Sequence, residues 1–219
     1  MPAERLVVFV KRPRAGEVKT RLASEIGAGD AAALYQAMAE HVLRATAPVE
    51  GAYDRVVEYA PADAGDEIRR WLPSERCAPQ AAGDLGGRMT QALARAIAEG
   101  ASRAVLIGTD APALDRGHVV QAFTALRDAD LVLGPACDGG YYLVGLAAPR
   151  PALFEGIAWS TPTVCAETLD RARAMGLRHR LLPELRDIDT LADVRAEWKR
   201  LSPLLSGREA LAGRLGSAR

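Results

Sequence analysis

Between Arg103 and Gly145 the chain twice runs a short apolar stretch into an acidic turn, and this repeat restricts the folds open to it more than any other feature. Residues 104–107, AVLI, are apolar throughout, as a strand covered on both faces must be. They stop at Gly108-Thr109-Asp110. Residues 131–134 repeat the pattern and end in Pro135-Ala136-Cys137-Asp138-Gly139-Gly140, after a helix-like interval that starts at Pro112 and Asp115 and runs to about Arg127. Strand, helix and strand in that order imply a right-handed parallel crossover in an open α/β sheet, where ligands bind beyond the carboxyl ends of the strands. Asp110 and Asp138 are thereby expected to face one cleft.

Residues 6–10, LVVFV, predict a first, central strand. The loop after it holds Lys11, Arg12, Arg14, Lys19 and Arg21, five cations within eleven residues, with Gly16 among them. A glycine-containing basic loop that leads from a strand into a helix can hold a phosphate chain on exposed N–H groups and the positive helix end. It lacks the G-x-x-x-x-G-K-[ST] pattern, so it is not the familiar phosphate loop, and a solvated basic turn is the competing reading.

Helical periodicity covers residues 29–46, with Asp30 as a candidate cap and Leu34, Met38, Val42 and Leu43 as the packing face. Residues 55–60 predict a second strand, and 64–72 an amphipathic helix ending before Pro73. In QAAGDLGGRM, the glycines permit close backbone approach to a ligand, and Asp84 either faces that ligand or caps the helix over 88–98. Residues 139–145 predict another strand, entered through Gly139 and Gly140. Trp159-Ser160-Thr161-Pro162 forms a loop placed to lie over the cleft, with Ser160 or Thr161 capping a helix over 163–175. A last strand is expected at 178–182, and Asp187-Ile188-Asp189-Thr190 leads into a helix over 191–201 that Asp189 or Thr190 could cap. Neither a repeat nor a linker interrupts the chain, so residues 1–219 are expected to form one domain, with a terminal helix in the tail 203–219.

Composition excludes several classes. Twenty-eight basic and 28 acidic residues give a net charge of zero, which argues against nucleic acid or a membrane surface as partner. No segment approaches 18 uncharged apolar residues, so a cytoplasmic protein is expected. Cys77, Cys137 and Cys165 are odd in number and widely spaced, as suits reduced thiols rather than disulfides or zinc.

KRPRAGEVKTRL, GDLGGRM, IGTDAP, GPACDGGYYLVG, FEGIAWST and DIDT, in that order from Val7 to about Val194, resemble the DUF2064 family, the selenodomain-associated transferase 1 type of the nucleotide-diphospho-sugar transferase (GT-A) superfamily. The resemblance implies a single-domain, Rossmann-like, three-layer αβα sandwich with a mostly parallel sheet, its first half binding a nucleotide and its second an acceptor, usually with a divalent metal. The first loop is also similar to that of small nucleotidyltransferases. By position, Lys19 and Arg21 would be phosphate ligands supported by Lys11 and Gly16, and Gly83, Asp84 and Leu85 would approach base or ribose. Asp110 and Asp189 map to the metal, and Gly139, Gly140, Tyr141, Trp159, Ser160 and Thr161 line the acceptor half. One departure from the sugar nucleotidyltransferases is a glycine-rich loop shortened to Gly16.

Elementary chemistry agrees with this assignment. Mg²⁺, or Mn²⁺ in its place, is served by few carboxylates together with phosphate oxygens and water, whereas zinc would want His or Cys. Attack on an α-phosphorus needs mainly positioning and cations, here Lys11, Lys19 and Arg21, with Asp138 to accept a proton if the acceptor is a hydroxyl. The preferred expectation is a metal-dependent nucleotidyltransferase joining a nucleoside monophosphate to a small phosphorylated or hydroxylated acceptor with release of pyrophosphate. The alternative is a glycosyltransferase using a nucleotide-sugar, and a third reading is a nucleotide-binding regulator without turnover. A homo-oligomer stays open.

Overall fold

The computed structural model describes residues 4–217. Its strands are β1 (Glu4–Lys11), β2 (Asp54–Ala60), β3 (Cys77–Pro79), β4 (Arg103–Ile107), β5 (Leu131–Pro135), β6 (Tyr141–Leu146) and β7 (His179–Leu181). The helices are α1 (Thr20–Ile26), α2 (Ala28–Ala45), α3 (Gly65–Trp71), α4 (Leu85–Ala98), α5 (Arg116–Ala125), α6 (Val164–Ala174), α7 (Leu191–Ala196), α8 (Trp198–Leu201) and α9 (Glu209–Ser217). One seven-stranded sheet has the order β3-β2-β1-β4-β6-β5-β7. Every pairing is parallel except those of β6, which runs antiparallel to both β4 and β5.

The apolar runs are buried on both faces, as their composition requires. Leu6, Val8 and Val10 of β1 pack with Val42 and Leu43 of α2, Ile68 of α3 and Phe123 of α5. Val7, one residue out of phase, packs with Met89 and Leu93 of α4 and with Leu169 and Ala172 of α6. Each such side chain withdrawn from water contributes about 1.5–3 kcal/mol, so this alternation along β1 holds both helical layers on one sheet. The result is the three-layer αβα sandwich expected from the sequence.

A further cluster joins the two ends of the chain. Leu22 of α1, together with Leu34 and Met38 of α2, packs with Ile188, Val194, Leu201, Leu205, Leu211 and Leu215. Burial of Leu22 against Ile188 and Val194 sets the β1–α1 loop beside the segment that precedes α7.

Several local expectations are corrected. β4 and β5 do run in the same direction, but β6 is inserted between them. Only residues 136–140 separate β5 from β6, and so short a connection can make a hairpin but not the crossover of a dozen residues that parallel neighbours need. Asp30 is not the cap of α2: Gly27 is, and Asp30 sits in the first turn, paired with Arg214 at 2.6 Å. Thr163, rather than Ser160 or Thr161, precedes α6. Thr190 caps α7 in a reciprocal pair with Asp193, and the helix expected over 191–201 is broken at Glu197 into α7 and α8. The last strand is confined to His179–Leu181.

Candidate active site

Along the carboxyl edge of β1, β4 and β5 lies a cleft of about 530 Å³, within the range of small-molecule sites. Lys19, Arg21, Asp110, Asp138 and Asp189 all line it. Because β6 is antiparallel, its first residue, Tyr141, enters the same edge.

At the centre is Lys19. The residue has φ 49° and ψ 46°, left-handed values uncommon for a side chain larger than Asn, and it stands immediately before α1. Its Nζ is 2.6 Å from Oδ1 of Asp110 and 2.9 Å from Oδ1 of Asp189, and its side chain is 4% exposed. Burial by itself lowers the pKa of the ammonium, but Asp110 and Asp189 outweigh that effect and hold it well above the usual lysine value. The ammonium is therefore a fixed positive charge. Its carboxylate partners are 52% and 37% exposed to the cleft. The backbone fastens the arrangement, since the Ile188 amide donates to the Asp110 carbonyl at 3.0 Å.

The five basic residues of the first loop divide into two groups. Lys11, Lys19 and Arg21 line the cleft, with Arg21 Nη1 3.9 Å from Asp189 Oδ2. Arg12 and Arg14 do not line it; Arg12 binds Glu17 at 2.7 Å and Glu67 at 3.0 Å, and Arg14 reaches Glu67 at 3.1 Å. Gly16 also lies outside the lining, and its φ of 83° is a turn conformation that glycine adopts without strain. Beneath the loop, the buried Tyr35 hydroxyl accepts a hydrogen bond from the Lys11 amide at 2.7 Å. Burial and the nearby Asp110 push this phenol up to about 12, so it stays protonated and neutral.

On the other side of Lys19, one oxygen each from Asp138, Asp187 and Asp189 lie within 4.8 Å of one another. In sequence Asp187 and Asp189 have the D-x-D spacing of many glycosyltransferases but fall in the lead into a helix rather than after the middle strand, yet Asp187 lines the cleft. Burial, then the charge of Asp138, raises its pKa from 3.8 to about 6. Asp138 also has a turn-forming role, accepting the Gly140 amide on Oδ1 at 2.8 Å. An oxygen-only donor set of this kind suits a hard divalent cation such as Mg²⁺ or Mn²⁺.

The remaining predicted residues separate into those that line the cleft and those that shape it. Leu85, Gly140, Tyr141, Trp159, Ser160 and Thr161 line it; Gly83, Asp84 and Gly139 do not. Asp84 caps α4, its Oδ1 accepting the Gly87 amide at 2.8 Å. Gly139, at φ 89°, has no room for a side chain, since a Cβ there would lie 2.0 Å from the Pro162 carbonyl oxygen. A Cβ on Gly86 would lie 2.6 Å from the Trp159 ring. These two glycines seat the loop 159–162 between α4 and the β5–β6 connection. Gln80 and Arg88 also line the cleft, joined by a 2.9 Å hydrogen bond from Arg88 Nη1 to Gln80 Oε1.

The family model described as "Uncharacterized protein conserved in bacteria (DUF2064)" matches residues 42–161, more than half of the chain. The chain belongs to the DUF2064 family. The matched span of this DUF2064 protein holds Asp110 and Asp138, whereas Lys19, Asp187 and Asp189 lie outside it. Among solved structures, one from Desulfovibrio desulfuricans G20, assigned provisionally as a nucleotide-diphospho-sugar transferase, is 33% identical with a TM-score of 0.88, over 98% of this chain and 99% of that one. The 4-diphosphocytidyl-2C-methyl-D-erythritol synthase of Anaerococcus prevotii is 10% identical with a TM-score of 0.58, over 89% of this chain and 94% of that one. CMP:2-keto-3-deoxy-manno-octonic acid synthetase, solved with CTP, is 12% identical with a TM-score of 0.56, over 94% and 99% of the two chains. At such identities the last two likenesses establish the shared fold. No protein of curated function matches this DUF2064 sequence. Among its described residues, no helix is long and apolar enough to cross a membrane.

Proposed function

We propose that this chain is a metal-dependent nucleotidyltransferase, which transfers a nucleoside monophosphate from a nucleoside triphosphate to a small phosphorylated or hydroxylated acceptor and releases pyrophosphate. The observation that carries this reading is the buried Lys19 ammonium, flanked by Lys11 and Arg21 in the same cleft as Asp110, Asp138 and Asp189. An acceptor oxygen bonds to the α-phosphorus while the bond from that phosphorus to the pyrophosphate oxygen breaks. The work of the protein is to align the two and to neutralise the charge that gathers on the phosphates, which Lys11, Lys19 and Arg21 are placed to do. Asp138, in the acceptor half, takes the proton when the acceptor is a hydroxyl; a phosphate acceptor needs no base.

Asp189 with Asp138 and Asp187, or with Asp110 once Lys19 turns to phosphate, would hold Mg²⁺ or Mn²⁺. Such a cation supplies further neutralisation of phosphate charge. The test is a panel of four ribonucleoside triphosphates with and without Mg²⁺, scored for thermal stabilisation and, with candidate acceptors, for pyrophosphate release. Stabilisation with magnesium-dependent pyrophosphate release supports the reading.

A glycosyltransferase using a nucleotide-sugar is the second reading. Two observations favour it: the description of the Desulfovibrio relative, and the D-x-D spacing of Asp187 and Asp189, both of which line the cleft. Stabilisation by nucleotide-sugars alone, with release of a nucleoside diphosphate, decides for it.

A further inference from the structure

We infer that Arg88 reads the nucleobase, and that it selects a base whose edge presents two adjacent hydrogen-bond acceptors, cytosine through N3 and O2 or guanine through N7 and O6. The inference rests on nucleotide binding in this cleft as proposed above, by either kind of transferase.

Strand order determines where the base must lie. Lys19 and Asp110 stand beyond β1 and β4, and Asp138 and Tyr141 beyond β5 and β6. With phosphates at Lys11, Lys19 and Arg21 and the acceptor on the Asp138 side, the base falls at the opposite end of the cleft, beyond β1, β2 and β3. Gln80, Leu85, Arg88 and Met89 line the cleft there. Leu85, only partly buried, offers apolar contact to the flat face of a base, which leaves recognition of its edge to polar groups.

Arg88 is prepared for that role. Gln80, buried to 8% exposure, donates from Nε2 to the Glu58 carbonyl at 3.0 Å and to the Val10 carbonyl at 3.4 Å. Those two acceptors decide which end of the amide is nitrogen, so Oε1 is the end that meets Arg88 Nη1 at 2.9 Å. Arg88 Nε donates to the Asp84 carbonyl at 3.3 Å. The guanidinium is thus held from two sides at the start of α4, while its Nη2 makes no hydrogen bond among the described residues. What remains is a planar fork that only donates. Adenine pairs a donor with an acceptor on each of its edges, and uracil places N3–H between its two carbonyls, so a donor-only fork meets an opposing donor on either. Cytosine and guanine each offer two neighbouring acceptors, the match arginine makes with guanine in nucleic acids.

The test titrates Mg²⁺ complexes of the four nucleoside diphosphates and triphosphates against the full chain and its Arg88→Met and Arg88→Lys variants, by calorimetry. The expected result is that the cytidine or guanosine nucleotides bind the wild type roughly tenfold or more tighter than those of adenosine and uridine. Both variants should then lose that preference, Arg88→Lys included, because an ammonium keeps the charge but not the fork. Preference for an adenine or uracil nucleotide overturns the inference. So does uniform weakening of all four bases in Arg88→Met with recovery in Arg88→Lys, which would place Arg88 on the phosphates. If none of the nucleotides binds the wild type, the proposed function fails and this inference with it.

Discussion

Lys19 and Asp189 stand 170 positions apart in sequence and 2.9 Å apart in space. The contact joins the first loop of the sheet to the segment before α7, and it depends on Leu22, Ile188 and Val194 being buried together. Charge pairing alone would not create it, because half-exposed carboxylates contribute little unless packing has already brought the partners together.

The pair is asymmetric, and mutation should reveal it. Lys19→Met leaves two carboxylates that water reaches, so stability should fall by about 1 kcal/mol or less while nucleotide affinity drops at least about tenfold. The double variant Asp110→Asn with Asp189→Asn strands a buried ammonium, and should lose about 3 kcal/mol. Urea unfolding of both variants measures the contrast, and equal losses would contradict it.

Asp187 sets a pH dependence. Its pKa lies at about 6 in the folded chain against 3.8 when free, so between these values the folded state binds the extra proton. Its contribution to stability therefore falls as pH rises from about 3.8 to 6 and stays low above that. After discounting for solvent screening, Asp187→Asn should stabilise the chain by about 1 kcal/mol at pH 7.5, with the gain vanishing near pH 4. Denaturant midpoints at the two pH values test the sign.

Asp84 should act on the helix rather than on the ligand. It caps α4 and does not line the cleft, so Asp84→Ala should cost about 1 kcal/mol and leave nucleotide affinity nearly unchanged. A tenfold loss of affinity at unchanged stability would instead give it a ligand role.

The loop 159–162 should respond to either of its glycine seats. In Gly86→Ala the new methyl meets the Trp159 ring, and overpacking of that kind costs about 1–3 kcal/mol. Adding Trp159→Ala should recover only part of the loss, because the Phe154 carbonyl oxygen, 2.9 Å from the same Cβ, remains in place. Gly139→Ala meets only backbone, that of Pro162, besides being strained at φ 89°, and should not be rescued by Trp159→Ala at all. Thermal denaturation of the four variants separates the two cases.

Six of the seven strands were legible, β1, β4 and β5 most plainly as short apolar runs, and both candidate strand-end acids, Asp110 and Asp138, do line the cleft; the three-residue β3 has no such run and was not expected. Less visible were relationships that depend on distant partners. Arg12 and Arg14 read as part of one basic patch until Glu67, more than fifty residues away, draws them aside. Tyr35 sits among the apolar positions of α2, where periodicity marks only a packing residue. Asp187 and Asp189 have D-x-D spacing, but in a segment far from the middle strand, and only the fold sets Asp187 near Asp138. The reversed direction of β6 had a usable signal in its five-residue connection to β5, since chain length alone forbids a parallel return.

That reversal has a consequence for how the site can diversify. The chain leaves β5 and re-enters the sheet as β6 through five residues, of which Ala136, Asp138 and Gly140 line the cleft, so this rim is formed by a hairpin tip rather than by a helix docked elsewhere. The tip is nevertheless tied to its surroundings, since Gly139 has no room for a side chain against Pro162 and its carbonyl accepts the Cys165 amide of α6 at 2.9 Å. A new small-molecule preference would therefore arise by exchange at Ala136 or Gly140, which line the cleft, with Asp138 and Gly139 kept.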